Sequence, residues 1–402
     1  MKQFDITYFY GPDEADFERP GVIRRIAEAG FTLIPLGFWH SAESNRRVLP
    51  LLEKEGLRAH VWDGRIEKIY RNNDLDGADA AVAEVVKDYA PFPNVVGFDV
   101  TDEPSFRNFE VLGKLVAAFR KYAPDKETVI NLLPNYATAE QFGTPDCRSY
   151  LESFIEKVNP HFLSYDHYHF LGRENRNASL DPNIDERERL IRIAAEKTEN
   201  RGGFFDNIEL VRGIAQKYRL DPMLIVLLTE HGSYRNLTRA EILWEINMCL
   251  VYGMRRLSYF TYWEPEADPF WQWTNAMCDR TGKPTPHYFD VQAINQTVLP
   301  VGKILFGKKS EAVFHVGKPE ESAKAFSPYG GIDSIEGNNG VIGFFSDGLV
   351  YLVNRDFVSE NTFTLSTPKK LERFGENGSF SECRNSFRLG AGQAVLLRIR
   401  GE

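Results

Sequence analysis

Cysteine is scarce in this 402-residue chain: Cys147, Cys249, Cys278 and Cys383 occur alone, in no CxxC pair and at no regular spacing. That argues against a disulfide framework or a thiolate metal site. Basic residues do not dominate, since 48 Lys plus Arg face 57 Asp plus Glu for a net charge of −9. A mildly acidic chain without a basic stripe is not built to hold nucleic acid. No run of 18 apolar residues occurs, so no segment reads as a membrane span. The N-terminal MKQFDITYFYGPDEADF carries acids where a signal peptide needs a long apolar run. As written, the chain is expected in the cytoplasm; a secreted protein trimmed of its signal would read the same. Low-complexity tracts are also missing, and 43% hydrophobic residues supply ample material for a packed core.

What the chain does have is an alternation of β-rich runs and helical stretches. The runs are FDITYFY (4–10), FTLIPLGFW (31–39), LRAHVWD (57–63), VVGFDVT (95–101), TVINLLP (128–134), FLSYDHY (162–168), LIVLLTE (224–230) and LSYFTYW (257–263). Each is nearly continuous in apolar residues, as buried parallel strands are. Between them lie stretches such as PGVIRRIAEAG, where Pro20 suits a first helical turn and Gly30 a C-terminal cap. RAEILWEINMCLVYGM (239–254) repeats its apolar residues at i, i+3 and i+4, the mark of one buried face. Eight such units predict an α/β fold, a (β/α)8 TIM barrel over residues 1–305. A doubly wound sheet is the competitor, but it usually has fewer strands, and no Gly-rich fingerprint follows the first run. Residues 306–402 change character, with short strands such as GVIGFFSD, GLVYLVNRD and ENTFTLST between Gly, Asn, Asp and Ser turns. They predict a small C-terminal antiparallel β-sandwich. The stretch 170–204 makes the sixth unit unusually long and is expected to build part of a site's rim.

Barrel chemistry sits where strands end. The fourth run closes on Asp102-Glu103-Pro104 and the seventh on Thr229-Glu230-His231. Two carboxylates at the mouth are what a double displacement at an anomeric carbon requires, one protonating the leaving oxygen and one attacking, about 5–5.5 Å apart. An acid in this position also simply caps a helix. The eighth run ends at Trp263, and the following loop adds Phe270, Trp271 and Trp273, aromatic faces suited to the apolar face of a sugar ring. The sixth ends Asp166-His167-Tyr168-His169, where alternation puts Asp166 and Tyr168 on one face and His167 and His169 on the other. His167 and His169 resemble a metal pair, but local spacing supplies no third ligand. Trp39, His40, Asp63, Arg65, Asn135 and Tyr136 follow other runs as candidate polar and aromatic contacts for substrate.

Together, a Glu-Pro ending strand four, a Thr-Glu-x-Gly ending strand seven, a Tyr ending strand six and a Trp ending strand eight resemble the clan A retaining glycoside hydrolases. The resemblance implies Glu103 as acid/base, Glu230 as nucleophile, Tyr168 beside the nucleophile and Trp263 under the bound sugar. One residue departs from the pattern: the clan carries Asn just before the acid/base, contacting the sugar's 2-hydroxyl, and this chain has Asp102. Asp can accept a hydrogen bond there but cannot donate one. The expected activity is cleavage of β-glycosidic bonds in oligosaccharides or glycosides, with a carbohydrate as partner and no cofactor or metal. Two other classes remain open: a metal-dependent sugar isomerase or epimerase drawing its ligands from Glu103, Asp166, His169 and Glu230, and a catalytically inactive carbohydrate-binding protein.

Overall fold

The computed structural model describes residues 3–37, 40–172, 200–267 and 271–400. Eight parallel strands form one sheet: β1 (Asp5–Tyr8), β2 (Leu33–Leu36), β3 (Arg58–Trp62), β4 (Val95–Asp102), β5 (Glu127–Leu132), β6 (Leu163–Asp166), β7 (Pro222–Leu227) and β8 (Arg256–Phe260). Their order is β1-β8-β7-β6-β5-β4-β3-β2, so β1 and β2 meet at the seam of a barrel. Thr32 bridges that seam, donating its N–H to the Ile6 carbonyl at 3.0 Å while its hydroxyl accepts the Ile6 N–H at 3.1 Å. Every predicted run contains a strand, but most strands stop one to three residues earlier than the apolar run does. Glu230 and Trp263 therefore lie beyond the ends of β7 and β8.

The N-terminal half of the barrel interior is ionic rather than apolar. Glu127 accepts from His60 at 2.8 Å and pairs with Arg256 at 2.8 Å, while Asp5 pairs with Arg58. Burial alone would raise the Glu127 carboxyl, but Arg256 and His60 outweigh it and hold the group below the usual range. This end of a barrel serves stability.

The first barrel helix spans Val22–Glu28 after Gly21, so Pro20 precedes the N-cap instead of occupying the first turn. Gly30 follows its end in the left-handed conformation (φ +85°), as a terminating glycine should. The helix Arg239–Val251 opens on a capping box between Thr238 and Glu241. The single buried face expected of it is corrected by the structure: ten of its thirteen residues are buried. Its outer side is covered by the C-terminal sheets. Trp244 Nε1 donates to the Arg355 carbonyl at 2.8 Å, and Asn247 Nδ2 to the Gly392 carbonyl at 2.7 Å. The helix backbone comes so close that a β-carbon at Gly343 would lie 2.3 Å from the Val251 carbonyl oxygen.

After the last barrel helix (Pro286–Leu305), nine antiparallel strands follow, from β9 (Ser310–Val316) to β17 (Ala394–Ile399). They form a six-stranded and a three-stranded sheet, packed through Ile342, Phe344, Leu352, Phe363, Leu365 and Leu397.

Candidate active site

Strand β4 shifts register against β5 between Asp99 and Thr101, which re-aims its last residues. Glu103 follows immediately with φ +44°, a left-handed conformation that costs a non-glycine residue strain and recurs at functional sites. Its N–H donates to the Asn131 carbonyl at 2.9 Å. The next residue, Pro104, is pinned through its carbonyl by Tyr150 Oη at 2.7 Å.

The Asn131 side chain ties three strands together. Register places it opposite Asp102 on β4 and Ser164 on β6. Its Nδ2 donates to Asp102 Oδ1 and to Asp166 Oδ1, both at 3.0 Å, and its Oδ1 accepts from Ser164 Oγ at 2.9 Å. Asp166 is 4% exposed. Burial first, then the charges of Glu103 and Asp102, push its carboxyl well above the usual range. Surrounding protein raises Asp102 to about 6, against the lowering effect of Asn131. Asp102 nevertheless opens onto the cleft, so water there opposes part of that rise.

Glu230 lies beyond β7 in a two-residue ribbon that pairs Glu230–His231 with Trp273–Thr274. Its Oε2 accepts from Asn275 Nδ2 at 2.8 Å and Thr274 Oγ1 at 3.1 Å. The sequence reading missed both donors, and no local pattern announces partners 44 and 45 residues away. Tyr168, which the resemblance puts beside Glu230, packs at 5.3 Å against both Phe260 and Tyr234. Burial raises its phenol most, and the carboxylates acting on it most strongly are Asp166, Asp102 and Glu103. Its ring also lies 6.1 Å from that of His231, the residue after Glu230.

A cleft of about 660 Å³ opens over β1, β3, β4 and β8, with Asp102, Phe260, Trp271 and Trp273 in its walls. The Trp271 and Trp273 rings lie 5.8 Å apart at 23°, and Trp273 stacks on His231 at 4.5 Å. Trp263 needs correction: it is 0% exposed and offers no face to a ligand. Past Phe260 the chain turns back, with the N–H groups of Tyr262 and Trp263 donating to the Tyr10 carbonyl. The indole then packs so tightly over Gly282 that a β-carbon there would lie 2.3 Å away. The aromatic that β8 presents to the cleft is Phe260, three residues earlier. Phe9, Tyr10, Trp62 and Tyr70 also line the cleft and were not singled out from sequence.

Several expected contacts have structural duties instead. His40 is buried, with Nε2 on the Pro12 carbonyl at 3.1 Å. Asp63 caps the helix Gly64–Arg71 and receives Arg65 through Nε (3.0 Å) and a terminal nitrogen (2.9 Å). That closed pair leaves little for a sugar. Asn135 Nδ2 donates to the Gly203 carbonyl at 2.9 Å, and Tyr136 lies under the Arg201 guanidinium at 4.1 Å. Asp166 and Tyr168 face the carboxylates, while His167 and His169 face Phe204 at 5.3 and 5.2 Å. His169 stacks on Trp244 at 5.1 Å, and burial pushes it down to about 4. Trp39, Phe270 and most of the 170–204 insertion lie outside the described residues. Among the described residues no three His, Cys, Asp or Glu side chains are arranged to hold a metal ion, and no helix is long and apolar enough to cross a membrane.

An eight-stranded α/β barrel trailed by antiparallel sheets is an architecture this chain shares with solved glycoside hydrolases. Among them is a catalytic mutant of a GH42 β-galactosidase from G. stearothermophilus, with TM-score 0.63 and 8% identity over 100% of this chain and 99% of that one. Another is a family 5 glycoside hydrolase from Bacteroides vulgatus, with TM-score 0.58 and 9% identity over 98% and 89%. A β-galactosidase from the psychrophilic Marinomonas ef1 aligns with TM-score 0.52 and 10% identity over 75% of this chain, which spans 60% of that enzyme's length. No protein-family model and no curated protein matches the sequence. At such identities the likeness concerns the fold.

Proposed function

We propose that the protein is a retaining β-glycoside hydrolase acting on oligosaccharides or glycosides, with Glu103 as acid/base and Glu230 as nucleophile. The observation that carries this reading is the pair of carboxylates following β4 and β7 at the C-terminal rim of the barrel, beside an aromatic-walled cleft of about 660 Å³. In the first step Glu103 protonates the glycosidic oxygen while Glu230 attacks the anomeric carbon, and the C–O bond to the leaving group breaks. In the second, Glu103 takes a proton from water as that water displaces Glu230. Thr274 and Asn275 both donate to one Glu230 oxygen and so help orient the carboxylate for attack. Trp271 and Trp273 supply stacking surface for sugar rings. The isomerase reading needs His169 beside the carboxylates, and that ring is stacked on Trp244.

The test is a screen of nitrophenyl β-glycosides with the wild type and Glu230→Gln. Turnover by the wild type with at least about a thousand-fold loss in the variant is expected for a nucleophile. Affinity for sugars without turnover by either protein would instead mean an inactive binding protein.

A further inference from the structure

Glu230 stands on a short antiparallel ribbon, Glu230–His231 against Trp273–Thr274, and a ribbon of that length is marginal without outside support. The residue after the ribbon, Asn275, donates Nδ2 to Glu230 Oε2 at 2.8 Å. Asn275 does so from a left-handed backbone, φ +60°, which asparagine visits more readily than most residues.

The support comes from His287, in the first turn of the last barrel helix and only 5% exposed. Its Nδ1 lies 2.5 Å from the Asn275 carbonyl and its Nε2 3.0 Å from the Leu237 carbonyl. Carbonyl oxygens only accept, so the bridge is complete when both ring nitrogens donate. Leu237 belongs to the loop after β7 and Asn275 to the loop after β8, so one imidazole ties together the two loops whose pairing carries Glu230. Beside it, the Thr285 hydroxyl donates to the Ala276 carbonyl at 2.5 Å and the Thr285 N–H to the Met277 carbonyl at 2.9 Å. The start of this helix therefore grips three successive residues, Asn275 to Met277. No local pattern marks His287, whose partners lie 12 and 50 residues away.

We propose that His287 is a positioning residue for the nucleophile: by holding the Asn275 carbonyl, it aims the Asn275 amide at Glu230. The inference rests on Glu230 being that nucleophile. His287 makes and breaks no bond in the reaction. It fixes a donor in place before the substrate arrives, so that the carboxylate is oriented for attack without rearrangement during the reaction.

The experiment is a double-mutant cycle in the full chain, read as kcat/KM on a nitrophenyl β-glycoside, which reports the attack by Glu230. His287→Phe keeps a planar ring but removes both donors, and Asn275→Ala removes the amide. Each should lower kcat/KM about tenfold, and the double variant should be no slower than Asn275→Ala alone, because nothing is left for His287 to aim. His287→Gln, which keeps an N–H for one carbonyl, should recover part of the loss, and it replaces His287→Phe in the cycle if that variant fails to fold. Losses that multiply in the double variant, to about a hundredfold for the pair, overturn the proposal, since a residue that only supports the fold acts independently of Asn275. Wild-type kcat/KM in His287→Phe overturns it as well.

A second measurement needs no turnover. In protein carrying 15N-asparagine, the Asn275 side-chain amide signal is identified by its loss in Asn275→Ala. It should shift in Glu230→Gln, which alters its acceptor, and in the His287 variants. A signal that the His287 variants leave unmoved overturns the proposal. If the screen finds no glycoside cleaved, the hydrolase reading fails, but this signal still decides whether His287 sets Asn275.

Discussion

Glu245 sits in the middle of the helix that joins the barrel to the C-terminal sheets, wholly buried, and among the described residues neither of its carboxyl oxygens has a hydrogen-bond partner. Burial, and then the charge of Glu241 one turn away, raise it well above the usual carboxylate range; the Leu227 peptide and Arg235 oppose this from further off. The folded protein therefore carries a neutral acid where the unfolded chain carries a carboxylate. The sign follows: stability is full below the unfolded value near 4.5 and is lost as pH rises toward the folded one. Each pH unit in that window costs about 1.4 kcal/mol, so two units cost about 2.7 kcal/mol. Glu245→Gln removes the titration but buries an unpaired amide, costing about 1–3 kcal/mol at every pH. The variant should be the less stable protein near pH 5, and the two stability curves should converge and cross about one to two units higher. Urea unfolding from pH 5 to 8, followed by tryptophan fluorescence, measures both curves. Taking the difference between them removes the slopes contributed by Asp99 and Asp166, which burial also raises. Parallel curves across that range would refute the argument.

Other outcomes follow from the site. Glu103→Ala should still form a glycosyl-enzyme from dinitrophenyl glycosides, since that leaving group needs no proton, and azide should restore turnover as the β-glycosyl azide. Azide with Glu230→Ala should yield the α-azide instead, and mass spectrometry with NMR distinguishes the two products. Proton NMR of early hydrolysis should show the β-anomer first, and an α-anomer first would remove the double displacement. Trp273→Ala should raise KM about tenfold through lost stacking, about 1.4 kcal/mol, and leave the melting temperature nearly unchanged. Trp263→Ala should do the reverse, costing about 3–5 kcal/mol of stability because the deleted side chain is fully buried.

The order of elements was legible in the sequence because it is written locally. A strand covered on both faces reads as a short unbroken apolar run, and eight of these alternating with helices define a barrel. The same rule placed Glu103 and Glu230 near the ends of β4 and β7, and alternation separated Asp166 and Tyr168 from His167 and His169. Tertiary structure decided everything that depends on how the chain turns after a strand or on what meets it from far away. Trp263 and Phe260 look equally suited to a rim, and only the return of the chain onto Tyr10 buries one and leaves the other at the cleft. The apolar spacing of 239–251 announces a face, but the second cover comes from sheets a hundred residues later. Asn131 joins Asp102 to Asp166 through cross-strand register, a property of three strands together and of none alone. Periodicity encodes which side of an element is buried; the partner that buries it, and the charges it meets there, exist only once the chain has closed on itself.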